Sequence, residues 1–195
     1  MTDRTLAQRR AGAGRQPDWA AGSGETVVAI VDAAQVPTRA HALVAERRRV
    51  IVFRVTAAGG TPQQAAREIG TALRALGVGR FDLLGEGAGA AAALWLALAP
   101  EADVGSVVLA APAGAPDDAV RELARPVLLL CGSGDSANTG EPYRTLLPDC
   151  HFMFVYGAGR SIGDERPEAL AFIALEFFER RDLFLVSRES GIALP

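Results

Sequence analysis

Lysine is absent from this chain of 195 residues, and all 20 of its basic residues are arginine. That absence excludes Schiff-base and pyridoxal chemistry and the lysine-dependent phosphate loop, since each needs a primary amine. Cysteine is nearly absent too. Cys131 and Cys150 make neither a disulfide framework nor a zinc site. Histidine occurs only at His41 and His151, too few for a His-rich metal cluster. Neither a metal nor another cofactor is therefore expected. No apolar run approaches the roughly 18 residues of a membrane helix. The net charge of −3 offers no clustered positive face for nucleic acid. Arg9-Arg10 is followed by Ala11-Gly12-Ala13-Gly14-Arg15, which is not the apolar core of an export signal. A cytoplasmic location is the default expectation.

What is present is ordinary globular material: 49% hydrophobic and 22% charged residues, enough for one substantial core and too little for two. Residues 1–24 mix arginine with Gly, Ala and Pro and lack strand patterning, which predicts a flexible arm. Residues 25–181 read as one domain and residues 182–195 as a tail. Within the domain, strand and helix signals alternate. Strands are predicted at 26–31, 50–55, 81–84, 106–110, 127–131 and 152–156. Helices are predicted from Pro37 to about Glu46, from Thr61 to about Leu76, at 88–99, at 116–124, at 141–147 and from Pro167 onward. Thr61-Pro62-Gln63-Gln64 has the form of a capping box.

Short, nearly uniformly apolar strands between helices imply a parallel sheet covered on both faces. The expected fold class is thus α/β, a single-domain three-layer sandwich around a mainly parallel six-stranded sheet in the order 2-1-3-4-5-6. Leu183-Phe184-Leu185-Val186 is an apolar run beyond the last helix. It either folds back on the domain or forms a contact surface for a protein partner or a second copy.

Ligands of such sheets sit beyond the carboxyl ends of the strands. The most informative loop there is Gly85-Glu86-Gly87-Ala88-Gly89, which follows one strand and opens a helix. It admits two readings. Gly85-x-Gly87-x-x-Ala90 satisfies the dinucleotide fingerprint, but it follows the third strand rather than the first. The next strand also ends in Ala110-Ala111-Pro112, with no acid to hold a ribose hydroxyl. The other reading is the strand–turn–helix elbow that carries a nucleophile in G-x-S-x-G.

Four segments in order carry the second reading. Ala72 to Gly85 looks like the helix and strand leading into the elbow, and Val107 to Pro112 looks like the strand after it. Arg125-Pro126-Val127-Leu128-Leu129-Leu130-Cys131-Gly132-Ser133-Gly134-Asp135 resembles a penultimate strand that ends at a triad acid. Gly157-Ala158-Gly159-Arg160, with Glu165-Arg166-Pro167-Glu168 beyond it, resembles a G-x-G-H…E-R-P-E segment. Over about residues 25–181 the chain resembles the α/β-hydrolase superfamily, which implies that fold and a crevice at the strand ends.

The departures decide what the resemblance implies for activity. Gly87 stands at the position of the nucleophilic serine and Arg160 at that of the histidine, leaving only Asp135 of the triad. Val31-Asp32 replaces the His-Gly that helps shape the oxyanion hole, and Pro112 to Pro126 leaves no room for a cap domain. His151 begins its strand, at the wrong end of a parallel sheet to act as a base. His41 reads as a surface or packing residue, Ser133 and Ser136 as turn residues, and Cys131 as core. The expectation is a capless, non-catalytic relative that binds, scaffolds or regulates. Its crevice would be built from Glu86, Gly87, Ala88, Asp135 and Arg160, with Asp135 and Arg160 ion-paired and Glu86 joining them. The alternative is an enzyme using Glu86, Asp135 and Arg160 in an atypical constellation.

Overall fold

Thr26–Val31 is β-branched at every position but Ala29, and such side chains pack well on a buried, pleated surface. It forms the strand at the heart of the sheet, with every residue buried. The structure, a computed structural model, describes residues 15–32, 36–56, 60–136, 140–181 and 184. Its strands are β1 (Trp19–Ala21), β2 (Thr26–Val31), β3 (Arg49–Arg54), β4 (Phe81–Glu86), β5 (Val104–Ala110), β6 (Val127–Gly132) and β7 (Cys150–Val155). The helices are α1 (Arg39–Ala45), α2 (Pro62–Ala75), α3 (Gly89–Leu98), α4 (Glu141–Leu146), α5 (Ile162–Glu165) and α6 (Pro167–Arg180).

The seven strands run in the order β1-β3-β2-β4-β5-β6-β7, with every pair parallel except β1 and β3. Counted without β1, this is the order expected from the sequence. Period-two alternation splits each central strand between two cores. Val28 and Ile30 face α2 and α3, whereas Val27, Ala29 and Val31 face α1 and α6. Each fully buried Val, Ile or Leu contributes roughly 1.5–3 kcal/mol over its exposed state, so the two cores dominate the stability. Among the described residues no helix is long and apolar enough to cross a membrane.

Three expectations need correction. Residues 1–24 do contain a strand: β1 pairs antiparallel with the outer edge of β3, Trp19 opposite Val52. The Asp18 carboxylate fixes it, accepting from the Arg54 backbone N–H at 2.7 Å and from Arg54 Nε at 3.0 Å. The physical reason is the otherwise open edge of β3, whose backbone groups need partners. Residues 1–14 of the expected arm lie outside the described residues. Second, Thr61 caps α2 through the Gln64 N–H, but Gln64 Nε2 donates to Glu68 Oε1 instead of closing a box. Third, the helix expected at 116–124 is a 3-10 helix, Asp118–Glu122, and α5 was not foreseen.

Phe184 folds back on the domain, one of the two placements expected for its run. It packs edge-on against Phe177 at 5.4 Å and His151 at 6.3 Å between ring centroids. Leu183, Leu185 and Val186, expected either to fold back with it or to form a contact surface, lie outside the described residues.

The parallel register separates the cysteines. Cys150 sits opposite Val127, and Cys131 lies four residues further along β6, roughly 13 Å at strand rise. A disulfide needs Cα atoms within about 7 Å. Burial first, and the Asp135 charge second, push the Cys131 thiol up to about 11. The expected outcome with iodoacetamide at pH 8 is modification of half-buried Cys150 and protection of Cys131 until the chain is unfolded. Peptide mapping checks it, and equal labelling of both thiols in the native protein would contradict the register.

At the amino end of β4, buried Asp82 accepts a hydrogen bond from Ser106 Oγ at 2.8 Å, with Arg181 Nη2 at 3.6 Å and Arg48 Nη1 at 3.9 Å. Desolvation outweighs these partners and raises its pKa above the ordinary carboxylate range. A raised folded-state pKa means that this group's stabilisation is full below the unfolded value and is lost as pH rises through the folded one. Asp82→Asn keeps an oxygen for Ser106 and removes that dependence. Relative to Asp82→Asn, the unmodified protein should therefore lose urea resistance as pH rises from about 4 toward neutrality. Parallel pH profiles of the two proteins would contradict this.

Candidate functional site

β2 and β4 are hydrogen-bonded neighbours, so the loops that leave Val31 and Glu86 emerge side by side. The turn after β4 is tight because of its glycines. A Cβ on Gly85 would lie 2.8 Å from Ala90 Cα, and one on Gly89 would lie 2.0 Å from the Ile30 carbonyl oxygen. Gly87 forms the apex in the left-handed region, with φ at +54°. Its N–H donates to the Ala110 carbonyl at 3.1 Å and its carbonyl accepts from Ala113 N–H at 3.0 Å, which clamps the elbow to the loop after β5.

Asp32 then decides what the elbow offers. Its Oδ2 accepts from the Ala88 N–H at 2.9 Å. Ala88 is the N-cap of α3 and has no side-chain cap of its own, so a carboxylate from the neighbouring strand supplies one. In a G-x-S-x-G elbow the N–H after the apex belongs to the oxyanion hole. Here an internal anion already holds it. The same carboxylate sits at the helix N-terminus where a dinucleotide pyrophosphate would bind, which disfavours the fingerprint reading.

Facing the elbow, the cavity of about 620 Å³ is lined by Asp32, Gly87, Pro112, Tyr143, Asp135 and Arg160 among others. Arg160 Nε lies 3.3 Å from Asp135 Oδ2, with the Asp135 side chain 7% exposed and that of Arg160 78%. The contact is close but poorly aligned, and Oδ2 has no properly directed hydrogen-bond donor. It is an electrostatic contact beside solvent, not the forked pairing that two parallel N–H donors would give. Local hydrogen bonds place Arg160. Glu165 accepts from the N–H groups of Gly159 at 2.7 Å and Ser161 at 3.3 Å, and Arg166 Nη1 donates to the Tyr156 carbonyl. Ser133 is a turn residue, its Oγ accepting from the Gly157 N–H at 3.0 Å.

Glu86 does not join this cluster, contrary to expectation. Its Oε1 lies 3.0 Å from Nε2 of His41, and the Glu86 side chain is only 14% exposed. His41 is itself fully buried, so of the two readings, surface or packing, it is a packing residue. His41 Nδ1 accepts from the Thr38 N–H at 3.0 Å while Thr38 Oγ1 accepts from the His41 N–H, a capping box with histidine at the third position. With Nδ1 accepting, the ring proton of the neutral form is assigned to Nε2, which touches Glu86 Oε1 without the alignment of a hydrogen bond. The Glu86–His41 contact thus ties the elbow to α1 beneath the crevice. His151 is remote from all of this, opposite Leu128 near the start of β7 and against the Phe177 ring.

Sequence reasoning missed Asp32 and His41 as site partners. Asp32 was foreseeable as the first residue beyond a strand adjacent to the elbow strand. For His41 the signal was Thr38-x-x-His41, a capping box with an unusual third residue. Among the described residues, no group of three or more His, Cys, Asp or Glu is arranged to hold a metal ion.

No protein-family model matches the chain, and no curated protein matches it. Solved structures do. A serine hydrolase involved in carbazole degradation (CarC) superposes with a TM-score of 0.71 at 17% identity, over 83% of this chain and 93% of its own. A putative non-heme bromoperoxidase, BpoC from Mycobacterium tuberculosis H37Rv, gives 0.69 at 19% identity, over 82% and 94%. A predicted CIB-like hydrolase from Thermoplasma acidophilum gives 0.66 at 18%, over 78% and 85%. Strand order, elbow and backbone superposition agree: this chain has the α/β-hydrolase fold.

Proposed function

We propose that the protein is a non-catalytic α/β-hydrolase-fold chain that acts as a binding, scaffolding or regulatory subunit, with the crevice at Asp32, Gly87, Asp135 and Arg160 as its recognition surface; Ala88, expected there, lies outside that lining. One observation carries this reading. The Asp32 carboxylate occupies the Ala88 N–H, so the donor that would stabilise a developing oxyanion is committed to a ground-state anion. The apex lacks a nucleophile, and the guanidinium at the position of the family's histidine has donors only and no acceptor to serve as a base. The chemistry left to the crevice is recognition by two carboxylates and one guanidinium, in a cytoplasmic setting and with a protein partner. The rival enzyme reading needs Glu86 beside Asp135 and Arg160, and Glu86 is engaged with His41.

Incubation with a serine-reactive fluorophosphonate followed by intact-mass measurement tests for a hidden nucleophile. The expected spectrum shows unmodified protein only. A stoichiometric adduct that is lost on prior unfolding would overturn the proposal.

A further inference from the structure

Between α2 and α3, at the amino ends of β4 and β5 and so at the opposite end of the strands from the elbow, lies a second cavity of about 390 Å³. That size falls in the range of small-molecule sites, roughly 300–1,000 Å³. Its walls are apolar: Leu73 from α2, Trp95 and Leu96 from α3, and Val78 and Phe81 from the chain entering β4. Exposed Arg67 and Arg74 also line it. Arg74 is already engaged, with Glu101 at 3.6 Å and Thr71 Oγ1 at 3.1 Å. Arg67 is not: among the described residues none of the ion pairs uses it. The remaining acid, Asp103, leads into β5 at the far end, where its carbonyl takes the Phe81 N–H.

Gly70 adds an independent observation. It lies in the middle of α2, where glycine costs about 1 kcal/mol relative to alanine. Packing does not demand it, because a Cβ there would meet Leu96 Cδ1 at 3.4 Å, at the edge of ordinary contact, and nothing closer. What the missing side chain does is leave the cavity open between the two helices.

We propose that this cavity binds a small amphiphilic anion, an aliphatic carboxylate whose chain lies against Trp95 and Leu96 and whose head group is met by Arg67. The wall supplies apolar area, and the one unneutralised guanidinium supplies the charge and the orientation. The site shares none of its lining with the elbow crevice, so it stands or falls independently of the function proposed above.

The test uses decanoate as probe and Trp95 as reporter, in a Trp19→Phe background that leaves Trp95 as the sole tryptophan. Decanoate should shift the emission saturably with a dissociation constant of about 1 mM or tighter. Decanol, with the same chain and no charge, should bind about tenfold more weakly. Arg67→Gln should weaken decanoate about five- to tenfold and leave decanol unchanged. Gly70→Leu, which fills the space, should abolish both while keeping the urea midpoint; if that variant fails to fold, the Arg67→Gln comparison decides. A non-saturable response, equal affinity for decanol and decanoate, or a dimer in light scattering that Gly70→Leu dissociates would each overturn the proposal.

Discussion

Exchanging Gly87 for serine should destabilise the protein by about 1–3 kcal/mol and should not produce an esterase. The new Cβ would lie 2.3 Å from Asp32 Oδ1, far inside contact distance, and the φ of +54° is strained for any residue with a side chain. Asp32 must swing away, and α3 then loses the side-chain acceptor that Asp32 gives its N-terminus. Adding Asp32→Gly should recover part of the lost urea midpoint by removing the clash. Neither variant is expected to gain hydrolysis of p-nitrophenyl butyrate, because among the described residues no imidazole stands beside the serine. Adding Arg160→His to that pair places an imidazole on the loop facing Asp135, and this triple variant is the first in which turnover should rise above background. Activity in Gly87→Ser alone would show that a base had been overlooked.

The second large effect is expected at His41. His41→Ala should cost about 3 kcal/mol, more than an ordinary exposed cap. Three losses coincide. A fully buried ring leaves a cavity, the Thr38 N–H loses its acceptor, and the largely buried Glu86 carboxylate loses its neighbour at 3.0 Å. Glu86→Gln should cost about 1 kcal/mol or less, since the amide oxygen can still face the Nε2 proton. Urea unfolding followed by far-ultraviolet circular dichroism distinguishes the two. Near-equal losses would mean that the pair acts as a charge pair, and a loss under about 0.5 kcal/mol for His41→Ala would remove its structural role.

The contrast between the central strands and β1 shows what a sequence can disclose. β2 and β6 are six-residue apolar runs buried throughout, and such a run has few places to go except the middle of a doubly covered sheet. Their neighbours follow from alternation with helices. β1 is three residues, too short to display a period, and it exists because β3 has an edge to cover. The elbow was legible for the same local reason: Gly85, Gly87 and Gly89 are there because strand and helix nearly touch. Partnerships across the chain were not. Asp32 and Ala88 are 56 positions apart, and Glu86 is paired to His41 by packing of α1, which no spacing encodes. Proximity in sequence puts Glu86 with the crevice residues, whereas its side chain lies against His41 and outside the cavity lining.

The proposed non-catalytic role carries the expectation that the elbow crevice does not hydrolyse esters. The most direct test is the rate of p-nitrophenyl butyrate hydrolysis by the unmodified protein, repurified to constant specific activity, beside an Asp135→Ala variant and a heat-denatured control. The expected result is three indistinguishable rates. A rate in the unmodified protein that survives repurification and disappears with Asp135→Ala would contradict the account.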